Sequence, residues 1–258
     1  MSRQRFGQHF LAKGSTLDRI ARAACPEREP LVIEIGPGRG ALTERLAACA
    51  ERLIAIEIDA ALVQLLHAKF AGDPRVAILH ADALDISLTQ WEPAVITGNL
   101  PYYAATPIIE KTLATPFRRA VFLVQKEVAA RLTAAPGSRD YGYLSIRTQL
   151  FADVEALFDV PPSAFHPPPK VDSTVVRLLP RNCAAELGIA DLARFLSFVS
   201  RCFRQKRKTL RNNLAGLFGK DALAGLPEAG KRAETLTISQ FADLFRLLYH
   251  RGPGGQNA

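Results

Sequence analysis

Through the first two thirds of the chain, short apolar runs alternate with stretches of helical spacing. Leu31–Ile35, an apolar run with one acid in it, reads as a buried strand. Arg52–Ile56, Val76–Leu79, Ala94–Thr97 and Ala120–Val124 read as four more. Between them, residues 41–49, 60–70 and 126–132 carry apolar positions at helical spacing. Strands alternating with helices predict an α/β fold with a parallel sheet covered on both faces. In such sheets, ligands bind beyond the carboxyl ends of the strands. Gly36–Gly40, Glu57, Asp82 and Asn99 all fall at those ends. Though scattered in sequence, they are expected to converge on one crevice.

Val154–Val160 and Thr174–Leu179 read as two further strands. The segment between them, Pro161-Pro162-Ser163-Ala164-Phe165-His166-Pro167-Pro168-Pro169, is too rich in proline for regular structure. Beyond Pro180 the pattern turns helical. Leu192, Phe195, Leu196 and Val199 share one face, as do Phe241, Leu244, Phe245 and Leu248. Thr237 and Gln240 suit a capping box for the last helix. The expected organisation is an α/β domain over residues 1–180 and a small helical domain over 181–258, ending in a disordered GPGGQNA tail.

Composition narrows the partners. Hydrophobic residues make up 48% of 258, enough for a core. No run approaches the roughly 18 apolar residues of a membrane span, and MSRQRFGQHFL lacks the marks of a signal peptide. The net charge of +8 and pI near 9.6 call for an acidic partner, either nucleic acid or an anionic membrane surface. The charge is clustered: eight Lys or Arg and no Asp or Glu lie from Arg194 to Lys220. A second basic stretch, Arg3 to Lys13, precedes the first acid, Asp18. Cys25, Cys49, Cys183 and Cys202 match neither metal pairs nor a compact disulfide framework. Reduced packing thiols in a cytoplasm, and no metal, are the expectation.

The glycine corner is ambiguous by itself. Gly36, Gly38 and Ala41 satisfy the dinucleotide fingerprint, and Glu57 lies near the spacing of a ribose-binding acid, so a nicotinamide enzyme stays open at this point. The fourth strand end discriminates, because a nicotinamide enzyme has no need of Asn-Leu-Pro-Tyr there. Glu34-x-Gly36-x-Gly38-x-Gly40 resembles motif I of class I methyltransferases with a Rossmann-like sheet, and Asn99-Leu100-Pro101-Tyr102 resembles their amine-handling motif. Three more segments narrow the resemblance: Arg5–Leu11 (RFGQHFL), Phe165–Ser173 (FHPPPKVDS) and Gln205–Leu214 (QKRKTLRNNL). Together they resemble the bacterial 16S rRNA adenine-N6,N6-dimethyltransferase family, from about Arg3 to Tyr249.

The resemblance implies S-adenosylmethionine as co-substrate. His9, Leu11, Glu34, Gly36, Gly38 and Asn99 would shape its site, Glu57 would accept the ribose hydroxyls, and Asp82 the cofactor's adenine amine. His9 stands where many relatives carry Asn. Asn99, Leu100, Pro101, Tyr102 and Phe165 would handle the target adenine. The Asn99 side-chain oxygen and Leu100 carbonyl would accept its N6–H bonds, and Tyr102 and Phe165 would stack on the flipped base for about 1–3 kcal/mol each. Arg204, Lys206, Arg207, Lys208 and Arg211, read as part of a basic helix, would contact RNA phosphates. The implied partner is 16S rRNA in a small ribosomal subunit or its precursor, met by a cytoplasmic monomer that binds no membrane. Three alternatives remain: the 23S rRNA enzyme of macrolide resistance, a DNA adenine methyltransferase, and a non-catalytic assembly factor.

Overall fold

The structure is a computed structural model that describes residues 9–251. It divides into two compact units, residues 1–129 with 153–180, and residues 130–152 with 181–258. The expected cut at residue 180 therefore differs in one respect: residues 130–152 group with the C-terminal helices. The GPGGQNA tail, Arg3 and Arg5 lie outside the described residues.

The first unit starts with β1 (Phe10–Leu11) and α1 (Gly14–Ala24), and continues through β2 (Glu29–Ile35), α2 (Ala41–Cys49), β3 (Ala50–Glu57) and α3 (Ala60–Phe70). It then runs through β4 (Val76–His80), β5 (Ala94–Asn99), α4 (Ala105–Leu113) and β6 (Phe117–Gln125). α5 (Lys126–Thr133) carries the chain into the second unit, where α6 (Tyr143–Phe151) follows. β7 (Ala152–Val160), β8 (Phe165–His166) and β9 (Ser173–Pro180) complete the first.

Seven strands form one sheet in the order β4-β3-β2-β5-β6-β9-β7. From β4 to β6 every pair is parallel, with rungs such as Val32↔Val95 and Ile33↔Ile54. β2, β5 and β6 are covered on both faces, which is why they read as continuous apolar runs. The chain winds outward from β2 toward β4 and then jumps to β5. This reversal of strand order opens a crevice at the carboxyl ends of β2 and β5.

Two expectations need correction here. The sheet is not wholly parallel, since β9 runs antiparallel to β6. Apolar runs carry no direction, and β9 returns from a short loop rather than a crossover helix. The proline-rich segment is also not wholly irregular. Phe165 and His166 pair with Leu11 and Phe10 in a separate two-stranded ribbon.

The second unit adds α7 (Cys183–Glu186), α8 (Leu192–Cys202), α9 (Leu210–Phe218), α10 (Lys220–Ala224) and α11 (Ile238–Arg251). Phe195, Phe198 and Phe241 are fully buried in its core beside Tyr141 of the 130–152 segment, each ring contributing about 1.5–3 kcal/mol. The capping box at α11 is present: the Thr237 amide donates to Gln240 Oε1 (2.9 Å) and the Gln240 amide to Thr237 Oγ1 (3.2 Å). The basic segment, by contrast, is helical only at its ends. Residues 203–209 form a turn-rich loop between α8 and α9.

Candidate active site

The crevice begins with the corner after β2. Gly36, Gly38 and Gly40 hold φ of +71°, +57° and +77°, a region side chains rarely adopt. A Cβ at Gly38 would come within 3.0 Å of the Phe10 ring. The corner is held by Glu57 at the end of β3, which is 4% exposed. Glu57 Oε2 accepts from the Gly38 amide (3.0 Å), and Oε1 accepts from the amides of Ile58 (2.9 Å) and Asp59 (3.0 Å). Oε1 is filled by its two amides, but Oε2 keeps a second acceptor site, so Glu57 can fix the glycine loop and still receive a ligand hydroxyl. Asp82, after β4, is half-buried. Its Oδ1 takes the Leu84 amide at 2.8 Å, which orients the carboxylate.

Asn99 ends β5. Its Nδ2 donates to the His9 carbonyl at 2.9 Å. Because one end of the amide is thereby engaged as donor, Oδ1 is left as the acceptor. The backbone around it is pinned. The Leu100 amide donates to Leu123 O (3.1 Å), and the Ala104 amide to Pro101 O (2.9 Å), closing a turn over Pro101–Ala104. Gly98 is the tightest position in the site: a Cβ there would sit 2.2 Å from the Ile35 carbonyl oxygen.

His9 joins three segments. Besides its carbonyl bond to Asn99, its Nδ1 donates to Pro167 O (2.9 Å) and its ring lies 5.7 Å from that of Tyr102. The Tyr102 hydroxyl is 3.3 Å from Ser173 Oγ. The β1–β8 ribbon, with Ala12 and Lys13 amides donating to Ala164 O, fixes Phe165 nearby. Phe165 is 5% exposed and presents part of its surface to the crevice.

The result is one crevice, open to solvent, at the carboxyl ends of the strands. His9, Gly36, Gly38, Glu57 and Asp82 line it together with Asn99, Leu100, Pro101, Tyr102 and Phe165. Two expected site residues are not in its wall. Leu11, in β1, turns its side chain into the core. Glu34 is 1% exposed. Burial pushes its carboxyl up to about 7, against a lowering contribution from Thr43, and Oε2 has no hydrogen-bond partner among the described residues.

The ribosomal RNA adenine dimethylase profile matches residues 1–250, spanning the glycine corner, the Asn99 turn and the basic loop alike. The chain belongs to the ribosomal RNA adenine dimethylase family. Among the most similar relatives, the ribosomal RNA small subunit methyltransferase A of Acidobacterium capsulatum is 44% identical, over 96% of this chain and 91% of its own. The protein of the same name from Nostoc sp. is 42% identical, over 95% and 97%. Among solved structures, a dimethyladenosine transferase from Plasmodium falciparum superposes with a TM-score of 0.78 at 28% identity, over 94% of this chain and 96% of that one. The 23S rRNA methyltransferase ErmE superposes at 0.72 with 30% identity, over 93% and 99%.

In this adenine dimethylase the five basic residues singled out from sequence are elsewhere, in the second unit. Arg204, Lys206, Arg207, Lys208 and Arg211 are all exposed. Their loop is stitched by Asn213, whose Oδ1 accepts from the Gln205 amide (2.9 Å) while Nδ2 donates to Gln205 O (3.2 Å). Lys206 Nζ donates to Arg139 O, within the same unit. The asparagine stood in the QKRKTLRNNL motif, but a contact across eight residues has no periodic signature.

Sequence reading also passed over Phe10, Ile58 and Tyr103, all in the cavity wall. Phe10 and Tyr103 flank assigned residues, which was the available signal. Glu57 accepts from three amides and lines the cavity, which leads to a prediction. Glu57→Ala should weaken S-adenosylmethionine binding about 10- to 150-fold, the scale of a hydrogen bond to a charged group. It should also lower the melting temperature without ligand, since three amides lose their acceptor. Calorimetry and thermal melting read both effects, and unchanged affinity would remove Glu57 from the site.

Proposed function

We propose that the chain uses S-adenosylmethionine to dimethylate N6 of two adjacent adenosines in the 3′-terminal hairpin of 16S rRNA. It would act as a cytoplasmic monomer on a small ribosomal subunit or its precursor, as a step in ribosome biogenesis. The observation that carries the reading is the Asn99 amide, held by the His9 carbonyl with its oxygen free, at the end of β5 in a carboxylate-lined crevice. The choice of the small subunit is supported by relatives of that name at 42–44% identity, against 30% for the 23S enzyme.

The residues present suit the co-substrate. Glu57 and Asp82 are acceptors for ribose hydroxyls and an adenine amine, and the left-handed glycines let backbone approach it closely. When bound, S-adenosylmethionine supplies an activated methyl group on sulfur. Everything else falls to the chain. An adenine N6 is a poor nucleophile because its lone pair is delocalised into the ring. Asn99 Oδ1 and the Leu100 carbonyl would accept its two N–H bonds, aim the lone pair and favour a pyramidal nitrogen. Tyr102 and Phe165 would hold the base by its faces. Once the nitrogen carries a new methyl it becomes acidic, so its proton can leave to water without a strong base. A site that grips one face and one amine reads little sequence, so choice of substrate falls to contacts elsewhere.

The test offers unmethylated small subunits, large subunits and free hairpin RNA in parallel, and locates dimethyladenosine by mass spectrometry. Small subunits should be modified well and the free hairpin poorly. Modification confined to 23S rRNA would transfer the assignment to the resistance-type enzyme. Failure on all three, with cofactor still bound, would favour an assembly factor without activity.

We assign phosphate contacts to the exposed loop 203–209 and the start of α9. Each phosphate contact contributes about 0.7–0.9 to the slope of log affinity against log salt, so replacing Arg207, Lys208 and Arg211 by Ala should flatten that slope by about 2–3. An unchanged slope would place the RNA surface on another part of the chain.

A further inference from the structure

We propose that Tyr103 forms a second nucleobase subsite at the mouth of the cavity, stacking on the base next to the adenine held at Asn99. The inference rests on the adenine-dimethylation reading and deepens it. Tyr103 lines the cavity, yet it is 65% exposed, the most exposed large side chain of its kind among the described residues. An isolated exposed aromatic is ordinary on a protein surface. One in the wall of the site that must receive a nucleobase is different.

The neighbouring residues leave this task to Tyr103. The Tyr102 ring faces His9 and its hydroxyl meets Ser173 Oγ at 3.3 Å, so Tyr102 is a fixed wall of the pocket. Tyr103 has no hydrogen bond or ring partner among the described residues, and its ring is free to take one. Its backbone is nonetheless held. Pro101 restricts φ at the start of the turn, the Ala104 amide closes onto Pro101 O at 2.9 Å, and α4 starts at Ala105. A large ring on a fixed backbone loses little conformational freedom when a base settles on it.

The chemistry of the substrate asks for such a platform. Taking an adenine out of its stack leaves the adjacent base without a partner, which opposes flipping. An aromatic ring at the mouth restores a stacking partner to that base without reading its identity. The subsite would therefore favour the flipped state rather than a sequence.

The experiment uses the full chain with small subunits assembled on unmethylated 16S rRNA that retains one target adenosine. That adenosine has both neighbours intact, an abasic site on its 5′ side, or an abasic site on its 3′ side. On intact RNA, Tyr103→Ala should lower kcat/KM about 5- to 150-fold, the scale of one base–aromatic stack. Tyr103→Phe and Tyr103→Trp should retain most of it. On one of the two abasic RNAs the wild type should already show the loss, and Tyr103→Ala should add nothing. Equal losses from Tyr103→Ala on all three RNAs, or none on intact RNA, would overturn the subsite. So would a matching fall in S-adenosylmethionine affinity by calorimetry, which would make Tyr103 part of the cofactor wall. If the wild type methylates no adenosine in any of these subunits, the underlying reading fails, and the subsite with it.

Discussion

Asn99→Ala should lower the single-turnover methylation rate by about 100- to 1000-fold, the loss that follows removal of one preorganised polar group at a reacting centre. The effect should fall on turnover. The residue sits at the end of β5, where its Nδ2 is committed to the His9 carbonyl at 2.9 Å and its Oδ1 is left for a substrate amine. Alanine removes the acceptor that meets the nitrogen as positive charge develops there. Glu57 and Asp82, the carboxylates proposed to hold the cofactor, are untouched, so S-adenosylmethionine affinity should change far less than the rate. Asn99→Asp is the informative companion. It keeps an oxygen but sets a carboxylate against the His9 carbonyl, whose repulsion turns the acceptor away, so it should also be slow. If Asn99→Ala methylates at close to the wild-type rate, the amine is held by other groups. If Asn99→Asp alone is fast, the orientation imposed by His9 is irrelevant.

The parts of this site that were legible in sequence are those written locally. Ala41–Cys49 and Ala60–Phe70 are the helices the spacing predicts, and the glycine corner, Glu57, Asp82 and Asn99 do meet in one cavity. Local signals failed where a neighbour distant in the chain decides the outcome. α1 carries Leu17, Ile20, Ala21 and Ala24 on its buried side, a helical pattern overlooked beside the basic stretch that ends at Lys13. α4 has Pro107 in its first turn, which hides a helix that tolerates proline there. β9 reads like any apolar run, and its antiparallel direction is set by the short return after β8. Leu11 and Glu34 stand beside cavity residues in sequence but are turned into the core. The basic loop looks helical by composition, yet Asn213 folds it into turns through contacts to Gln205.

Gly98→Ala should cost both stability and activity, although the residue touches no substrate in the proposed reaction. An added Cβ would lie 2.2 Å from the Ile35 carbonyl oxygen and 3.2 Å from the Ile35 carbonyl carbon. These are backbone atoms in the middle of a parallel sheet, so no side chain can swing aside. β5 must move relative to β2, and β5 is also hydrogen-bonded to β6 on its other side, with Gly98 opposite Phe122. Overpacking of this kind costs about 1–3 kcal/mol, which in a protein of this size is roughly 2–12 °C in melting temperature. The functional loss should exceed what that destabilisation explains at working temperature. Ile35 leads directly into Gly36, and Gly98 into Asn99, so the displaced strands carry the cofactor corner and the acceptor amide apart. Affinity for S-adenosylmethionine and turnover should therefore fall together, unlike the split expected for Asn99→Ala. Gly72→Ala is the control: a Cβ there meets nothing within 4 Å, and stability should stay within about 0.5 kcal/mol of wild type. Should Gly98→Ala melt and methylate like Gly72→Ala, the close approach of β5 to β2 would not be what holds the two halves of the site in register.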